Sequence, residues 1–348
     1  MTTKAKKNQK VTARQVAANV RAIETAAFES DIGASIPSHG QFVAANASQF
    51  VEGNFSEALT AYAVGYRDPT DLDAALEFFA PAVPVPRRFD YRTYSNLEEF
   101  LSDDELDDDL RAIGADFKQV EYTGEEVSAK TLNRGLRVVI DEDQVDDNTD
   151  WRERYTAKLI RRLKRNALRR ALALLSASAV NSTKVWDTTA GKDPDMDVIL
   201  ELVAAGDISG IKPNRVGYGE TAWSRRMIAH RAQDTAGGIA SATLNPQAVA
   251  GLLGVEEVHV NGARRQSTAS AKAQMLGNLV LMFTAYNGVD TEDPSNIKRF
   301  VSSAGAEGQM KVYERQVGTK LWEIAVEHYE LTKMTSLLGV RQFTVNAS

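Results

Sequence analysis

Residues 151–175, WRERYTAKLIRRLKRNALRRALALL, constrain this chain more than any other stretch. On a helical wheel Leu159, Ile160, Leu163, Ala167, Ala171 and Leu174 fall on one side, and Lys158, Arg161, Arg162, Arg165 and Arg169 on the other. That spacing predicts an amphipathic helix. Leu172 and Leu175 widen the apolar stripe toward the C-terminal end. At ~1.5 Å per residue the rod is roughly 40 Å long. Thr149 or Asp150 can cap its start, because a side-chain oxygen there accepts the free N–H groups of the first turn. Nine of the first twenty residues are Lys or Arg, yet the whole chain is acidic, with 41 basic against 47 acidic residues and a formal net charge of −6. One face of one helix therefore holds positive charge that the rest of the chain lacks.

Three uses of that face compete: a solvated surface neutralised by neighbouring loops, contact with nucleic-acid phosphates without sequence readout, and pairing with an acidic patch on another copy of the chain. The opposite charge is present in the tract 98–109, with Asp103, Asp104, Glu105, Asp107, Asp108 and Asp109, and in the cluster 141–147. The negative total argues against a general nucleic-acid binder with a basic overall surface. Lys4, Lys6, Lys7 and Lys10 mark either a solvated terminus or a basic arm that touches nucleic acid or a partner.

The remaining pattern is mixed α+β. The spacing of Val16, Val20, Ile23 and Ala27 predicts a helix over 11–30, and 31–56 reads as an irregular connection. The pattern leaves 55–66 open between helix and strand. PAVPVPRR (81–88) is an extended boundary, because proline removes a backbone donor and disfavours helix before it. FDYRTY (89–94) alternates as a strand does. NLEEFLSDDELDDDL (96–110) reads as a short acidic helix. DFKQVEYTG and LRVVIDED read as strands, and GEEVSAKTLNRG between them as a hairpin or small insertion. Beyond the basic helix, VWD and GKDPDMD read as loop, DPDMDVILELVAAG as a helix with an acidic first turn, and IKPNRVGYGETAWSRRM as a strand running into a helix. NPQAVAGLLGVEEVHVN reads as a short helix then a strand, and NLVLMFTAY as a buried strand. KVYERQ, KLWEIAVEHYELTKM and GVRQFTV close the chain as further strands.

Catalytic traces are few. There is no cysteine, which excludes disulfides, thiolate catalysis and Cys-type metal sites. His39, His230, His259 and His328 are far apart, and none forms a metal-type pair. No nucleophile elbow, phosphate loop or zinc-protease helix occurs. Gly217-Tyr218-Gly219 follows a strand but lacks the third glycine and the framing unit of a dinucleotide site. AGKDPDMD reads as a helix cap rather than a metal loop. The expectation is a non-enzyme with no cofactor, no metal and no membrane span.

The ordered set of features resembles the major capsid protein of tailed double-stranded DNA bacteriophages, the Hong Kong 97 type fold. The residues that carry the likeness are DWRERYTAKLIRRLKRNALRRALALL in the place of the spine helix, and IKPNRVGYGETAWSRRM as strand into helix. LLGVEEVHV, KAQMLGNLVLMFTAYNG and DPSNIKRFVSS follow, and KLWEIAVEHYELTKMTSLLGVRQFTV supplies the closing strands. Together they cover most of 85–348.

The resemblance implies an N-terminal arm (1–60), a connection into the peripheral domain (61–84) and an extended E-loop (85–140) that reaches over a neighbouring subunit. It further implies a peripheral domain with the spine helix (141–194), an axial domain (195–305), peripheral strands (306–335) and a C-terminal axial strand (336–348). It implies self-assembly into hexamers and pentamers of an icosahedral shell around packaged double-stranded DNA. A scaffolding protein and a portal protein would be partners, the host cytoplasm the place of assembly and the virion capsid the destination. On this reading Lys158, Arg161, Arg162, Arg165 and Arg169 form an inter-subunit or DNA-facing strip, and Asp103, Asp104, Glu105, Asp107, Asp108 and Asp109 an inter-subunit acidic loop. An encapsulin-type nanocompartment shell shares the fold and is the nearest alternative; a non-viral nucleic-acid-binding protein using the basic helix is the other.

Overall fold

The computed structural model describes residues 54–68, 70–93, 110, 111, 113, 114, 116, 126–145, 149–233, 235–288, 293–303 and 310–347. All belong to the compact unit spanning Phe50–Ser348. The expected helix over 11–30, the acidic helix over 96–110 and the strand DFKQVEYTG lie outside the described residues apart from Leu110 and Asp116.

Seven helices are described: α1 (Glu57–Gly65), α2 (Leu72–Phe79), α3 (Trp151–Ser178), α4 (Pro194–Ser209), α5 (Glu220–Arg231), α6 (Ala236–Thr243) and α7 (Pro246–Leu253). The strands are β1 (Ala82–Val85), β2 (Arg88–Arg92), β3 (Glu126–Lys130), β4 (Leu132–Asp141), β5 (Val180–Val185), β6 (Arg215–Gly219), β7 (Glu257–Asn261), β8 (Arg264–Gln266), β9 (Lys272–Gln274), β10 (Leu279–Phe283), β11 (Ile297–Ser302), β12 (Lys311–Gln316), β13 (Leu321–Met334) and β14 (Arg341–Asn346). The α+β class read from the sequence is the class observed.

One sheet is organised by β13. Its fourteen residues pair with β4 along one edge, Leu321↔Asp141 to Glu330↔Leu132, and with β12 and then β11 along the other; β1 joins β11 in parallel. Successive side chains of β13 point to opposite faces. Ile324 and Val326 lie on the face that meets α3, where Leu159, Ile160 and Leu163 join them with Leu59, Ala63, Val312 and Ile140. Each such large side chain contributes roughly 1.5–3 kcal/mol by burial, so an aspartate at Ile160, which is fully buried, would break the contact.

The second sheet runs β5-β14-β10-β6-β7. Val216, Tyr218, Val280, Met282 and Phe343 pack there against Val198 and Leu202 of α4, Ala222 and Ala229 of α5, and Val249 and Leu253 of α7. A third cluster joins the sheets. Ala167, Leu168, Ala171, Leu172 and Leu175 of the second half of α3 meet Leu76, Phe78 and Phe79 of α2, Leu281 and Phe283 of β10, and Ile297 of β11. The long helix thus packs its first half on one sheet and its second half on the cluster that reaches the other.

Local signals account for several boundaries. Asp193 accepts hydrogen bonds from the amides of Asp195 and Met196, both at 3.1 Å, Pro194 opens α4, and Gly210 at φ 71° ends it. AGKDPDMD is therefore a cap, as read. Gly217-Tyr218-Gly219 is a central strand buried along its length. A Cβ at Gly219 would stand 2.1 Å from the Gly277 carbonyl oxygen, and one at Gly217 2.5 Å from Phe79 Cε1. These glycines admit a neighbouring backbone and a ring, not a phosphate.

Two expectations change and two open readings are decided. The open segment 55–66 is helical over Glu57–Gly65, with Ser56 Oγ accepting from the Leu59 amide. Asp150 occupies the N-cap of α3 but makes no side-chain cap; its carboxylate accepts from the Thr149 hydroxyl at 3.3 Å instead. GEEVSAKTLNRG is not a hairpin: β3 turns back on β2 while β4 runs into the large sheet, and the buried Thr131, whose amide donates to Arg87 O at 3.1 Å, separates them. Val185, read as loop, ends a strand that pairs in parallel with β14. That strand has little apolar alternation, VNSTKV, and owes its existence to its neighbour.

Candidate assembly surface

The cations of α3 divide by position. Arg152 pairs with Glu314 of β12, Lys164 with Asp73 of α2 at 2.5 Å, and Arg170 with Glu330 of β13. These tie the helix to the rest of the fold. Arg161 is half-buried, and its Nε donates to Ala157 O at 3.5 Å. Lys158, Arg162, Arg165 and Arg169 are exposed, at spacings of four, three and four residues that keep them on one face. Among the described residues none of these four forms an ion pair; the Lys158 ammonium lies 4.3 Å from the Tyr155 ring centroid. The result is a row of four cations about 17 Å long at ~1.5 Å per residue. Of the five strip residues read from the sequence, the structure turns four to solvent and keeps Arg161 closer in.

The sheet carries charge that the sequence reading missed. Glu323 is 1% exposed and is held by Arg137 at 2.8 Å and Arg315 at 2.7 Å. Burial pushes its carboxyl up, but the hydrogen bonds and charge of these two guanidinium groups outweigh that and hold it below the usual range. Glu327 accepts from Asn133 at 2.9 Å and from the Tyr313 hydroxyl at 2.8 Å. On the opposite face Glu330 gathers Arg170, His328 at 3.2 Å and Arg299 at 3.9 Å. Burial again opposes ionisation, and the hydrogen bond from His328 with the charges of Arg170 and Arg299 again wins, leaving the carboxyl far below its ordinary value. The signal available was Glu323, Glu327, His328 and Glu330 among the apolar residues of one long strand.

β2 and β3 form an antiparallel ribbon, Arg88↔Lys130 to Arg92↔Glu126. Phe89 and Tyr91 point inward, with ring centroids 4.6 Å and 5.2 Å from that of Phe300, alongside Val83, Val85 and Leu331. Arg88, Asp90 and Arg92 point outward. The Arg87 guanidinium sits 4.2 Å from the Tyr329 ring centroid. The ribbon's root is therefore core, and residues 132–140 of the expected E-loop interval belong to the sheet. Asp103, Asp104, Glu105, Asp107, Asp108 and Asp109 lie outside the described residues.

No clustered set of three or more His, Asp or Glu side chains suits a metal ion among the described residues, and no helix there is long and apolar enough to cross a membrane.

No family model and no curated protein matches the chain. Solved structures do. A phage-related protein from Bordetella bronchiseptica RB50 superposes with a TM-score of 0.61 at 19% identity, over 83% of this chain and 96% of that one. The capsid of Myoviridae phage XM1 gives 0.46 at 10% identity, over 89% and 100%. The SrpI encapsulin complex of Synechococcus elongatus PCC 7942 gives 0.40 at 9% identity, over 76% and 84%. The first of these supports the fold on its own. The chain shares the fold of that phage-related protein, with a long helix laid across a β13-centred sheet, a second sheet with its own helices, and a ribbon leaving the first.

Proposed function

We propose that this protein is a shell subunit, the major capsid protein of a tailed double-stranded DNA bacteriophage, which assembles through hexamers and pentamers. The observation that carries this reading is the exposed row Lys158, Arg162, Arg165 and Arg169, held rigid by a helix whose Arg152, Lys164 and Arg170 are engaged within the same chain. A charged row that long on an acidic protein calls for a partner of opposite sign. The chain contains one, Asp103–Asp109, between two strands rooted in the subunit's own core. In this reading residues 94–125 are the reaching part of the E-loop, the acidic run meets the cationic row of a neighbour, and 85–93 and 126–140 anchor it. Exposed ion pairs are individually worth about 0–1 kcal/mol, which suits assembly: each contact is correctable and copy number multiplies it. The axial part corresponds to the β10-centred sheet with α4 to α7. Scaffolding and portal proteins, packaged DNA, host-cytoplasmic assembly and a place in the virion belong to the same proposal.

Expression alone and with a candidate scaffold, followed by sedimentation and negative-stain imaging, tests it. Rings or closed shells are expected. A strictly monomeric species at high concentration under both conditions would overturn it.

A further inference from the structure

The chain contains two Asn-Gly pairs, Asn261-Gly262 at the end of β7 and Asn287-Gly288 beyond β10. An asparagine followed by glycine can modify itself, because the glycine nitrogen, with no Cβ beside it, is free to approach the side-chain amide carbon. The fold treats the two pairs differently. Asn261 is 1% exposed, and its Oδ1 accepts from the Ala263 amide at 2.9 Å. Asn287 and Gly288 are exposed and lie outside any helix or strand.

The partner of Asn287 sets it further apart. Its Oδ1 accepts from Nη2 of Arg215, the first residue of β6, at 2.6 Å. Arg215 is 1% exposed and forms no ion pair among the described residues. Its Nη1 donates to the carbonyls of Glu77 and Phe78 at the C-terminal end of α2, at 3.0 Å and 2.6 Å, and its Nε is buried without an acceptor. Burial holds the guanidinium below its ordinary pKa, and the charges of Glu257, Glu256 and Glu77 offset this only in part. Carbonyls at a helix end carry only partial negative charge, and a buried cation without a full counter-charge is costly. Among the described residues the one side-chain oxygen hydrogen-bonded to Arg215 belongs to Asn287, an amide one hydrolysis away from a carboxylate.

We propose that Asn287-Gly288 is a self-modifying site, at which Asn287 becomes aspartate and gives Arg215 the carboxylate it lacks. The Gly288 nitrogen bonds to Asn287 Cγ and loses its proton; the Cγ–Nδ2 bond breaks, and the side-chain nitrogen takes up a proton and leaves as ammonia. The product is a cyclic imide. Water then adds to Cγ, the bond from Cγ to the Gly288 nitrogen breaks, a proton returns to that nitrogen, and the main chain is restored with aspartate at 287. Water is the only co-reactant. The Arg215 hydrogen bond stabilises the negative charge that gathers on Oδ1 in both additions. In the product it becomes a charge-assisted bond, stronger than the bond to an amide. The site is independent of the shell reading.

Peptide mapping by mass spectrometry of the full-length folded protein, sampled over days in mildly alkaline buffer, tests this. The Asn287 peptide is expected to gain the mass difference between a hydroxyl and an amino group. Asn261 is expected to convert at least about tenfold more slowly, because a buried pair reacts only after local opening. Opening of the imide on its main-chain side gives isoaspartate instead. Aspartate is expected to form a larger share of the product in the folded chain than in denaturant, since Arg215 holds the nascent carboxylate. Asn287→Asp, made directly, is expected to melt above the parent at neutral pH, although added negative charge otherwise disfavours an acidic chain's compact state. A carboxylate paired with a guanidinium has a depressed pKa, so this gain holds above the carboxylate range and disappears as pH falls through it. Asn287 unchanged in the folded chain, Asn261 converting as fast, an equal product ratio in denaturant, or an Asn287→Asp melting temperature at or below the parent's would each overturn the proposal.

Discussion

Arg226 grips Asp195 through two parallel hydrogen bonds, Nε to Oδ1 at 2.6 Å and Nη2 to Oδ2 at 2.7 Å, and the guanidinium is wholly buried. His230, one turn along α5, brings Nε2 to 3.0 Å from Asp195 Oδ2. The cluster joins the first turn of α4 to the middle of α5. Removing one partner of a buried ion pair leaves an uncompensated charge and costs about 3–5 kcal/mol. Asp195→Ala is expected to lose that much in chemical denaturation.

The same cluster sets an acid limit. Burial pushes the Asp195 carboxyl up, but the His230 ring nitrogen at 3.0 Å and the doubly hydrogen-bonded Arg226 guanidinium hold it below the usual range; Glu330 behaves likewise. A depressed folded-state pKa stabilises the fold fully above the unfolded value, about 4 for these side chains, and that stabilisation is lost as pH falls further. The melting temperature is expected to drop below pH of about 4, and less steeply in Asp195→Asn than in the parent. A flat parent profile between pH of about 4 and 2 would contradict this.

Gly219 faces the Gly277 backbone, with room for a hydrogen and none for a methyl. A backbone obstacle cannot swing aside as a side chain can. Overpacking of this kind costs about 1–3 kcal/mol, and Gly219→Ala is expected to lie at the upper end in thermal unfolding. Gly251→Ala, where no atom lies within 4 Å of the added Cβ, should show no such loss.

Reversing Arg162, Arg165 and Arg169 together to glutamate touches no described ion pair. Subunit stability is expected to change by less than about 0.5 kcal/mol per site, while sedimentation shows assembly abolished. Recovery of assembly when Asp103, Asp107 and Asp108 are changed to lysine in the same chain would link the two charged regions. If reversal alone leaves assembly intact, the row is only a solvated face.

Replacing residues 94–125 by a short glycine-rich turn keeps the Arg92↔Glu126 end of the ribbon and spares Phe89 and Tyr91. Folding by circular dichroism should persist and shell formation should fail. Global unfolding would show that the replaced segment is core.

Local pattern specified the long helix, the strands β10 and β13, and the cap at Asp193, because each depends on residues within a few positions of one another. The α3 wheel also sorted apolar from cationic residues correctly, since a helix imposes 100° per residue whatever surrounds it. Pairing across the fold was not in any local pattern. VNSTKV becomes a strand because β14 lies beside it, and Arg152, Lys164 and Arg170 turn inward because Glu314, Asp73 and Glu330 wait there. Which cations of the helix are paired within the fold and which stay exposed without an ion pair was decided by where distant carboxylates came to rest, a matter of tertiary packing and the Coulomb interactions it allows.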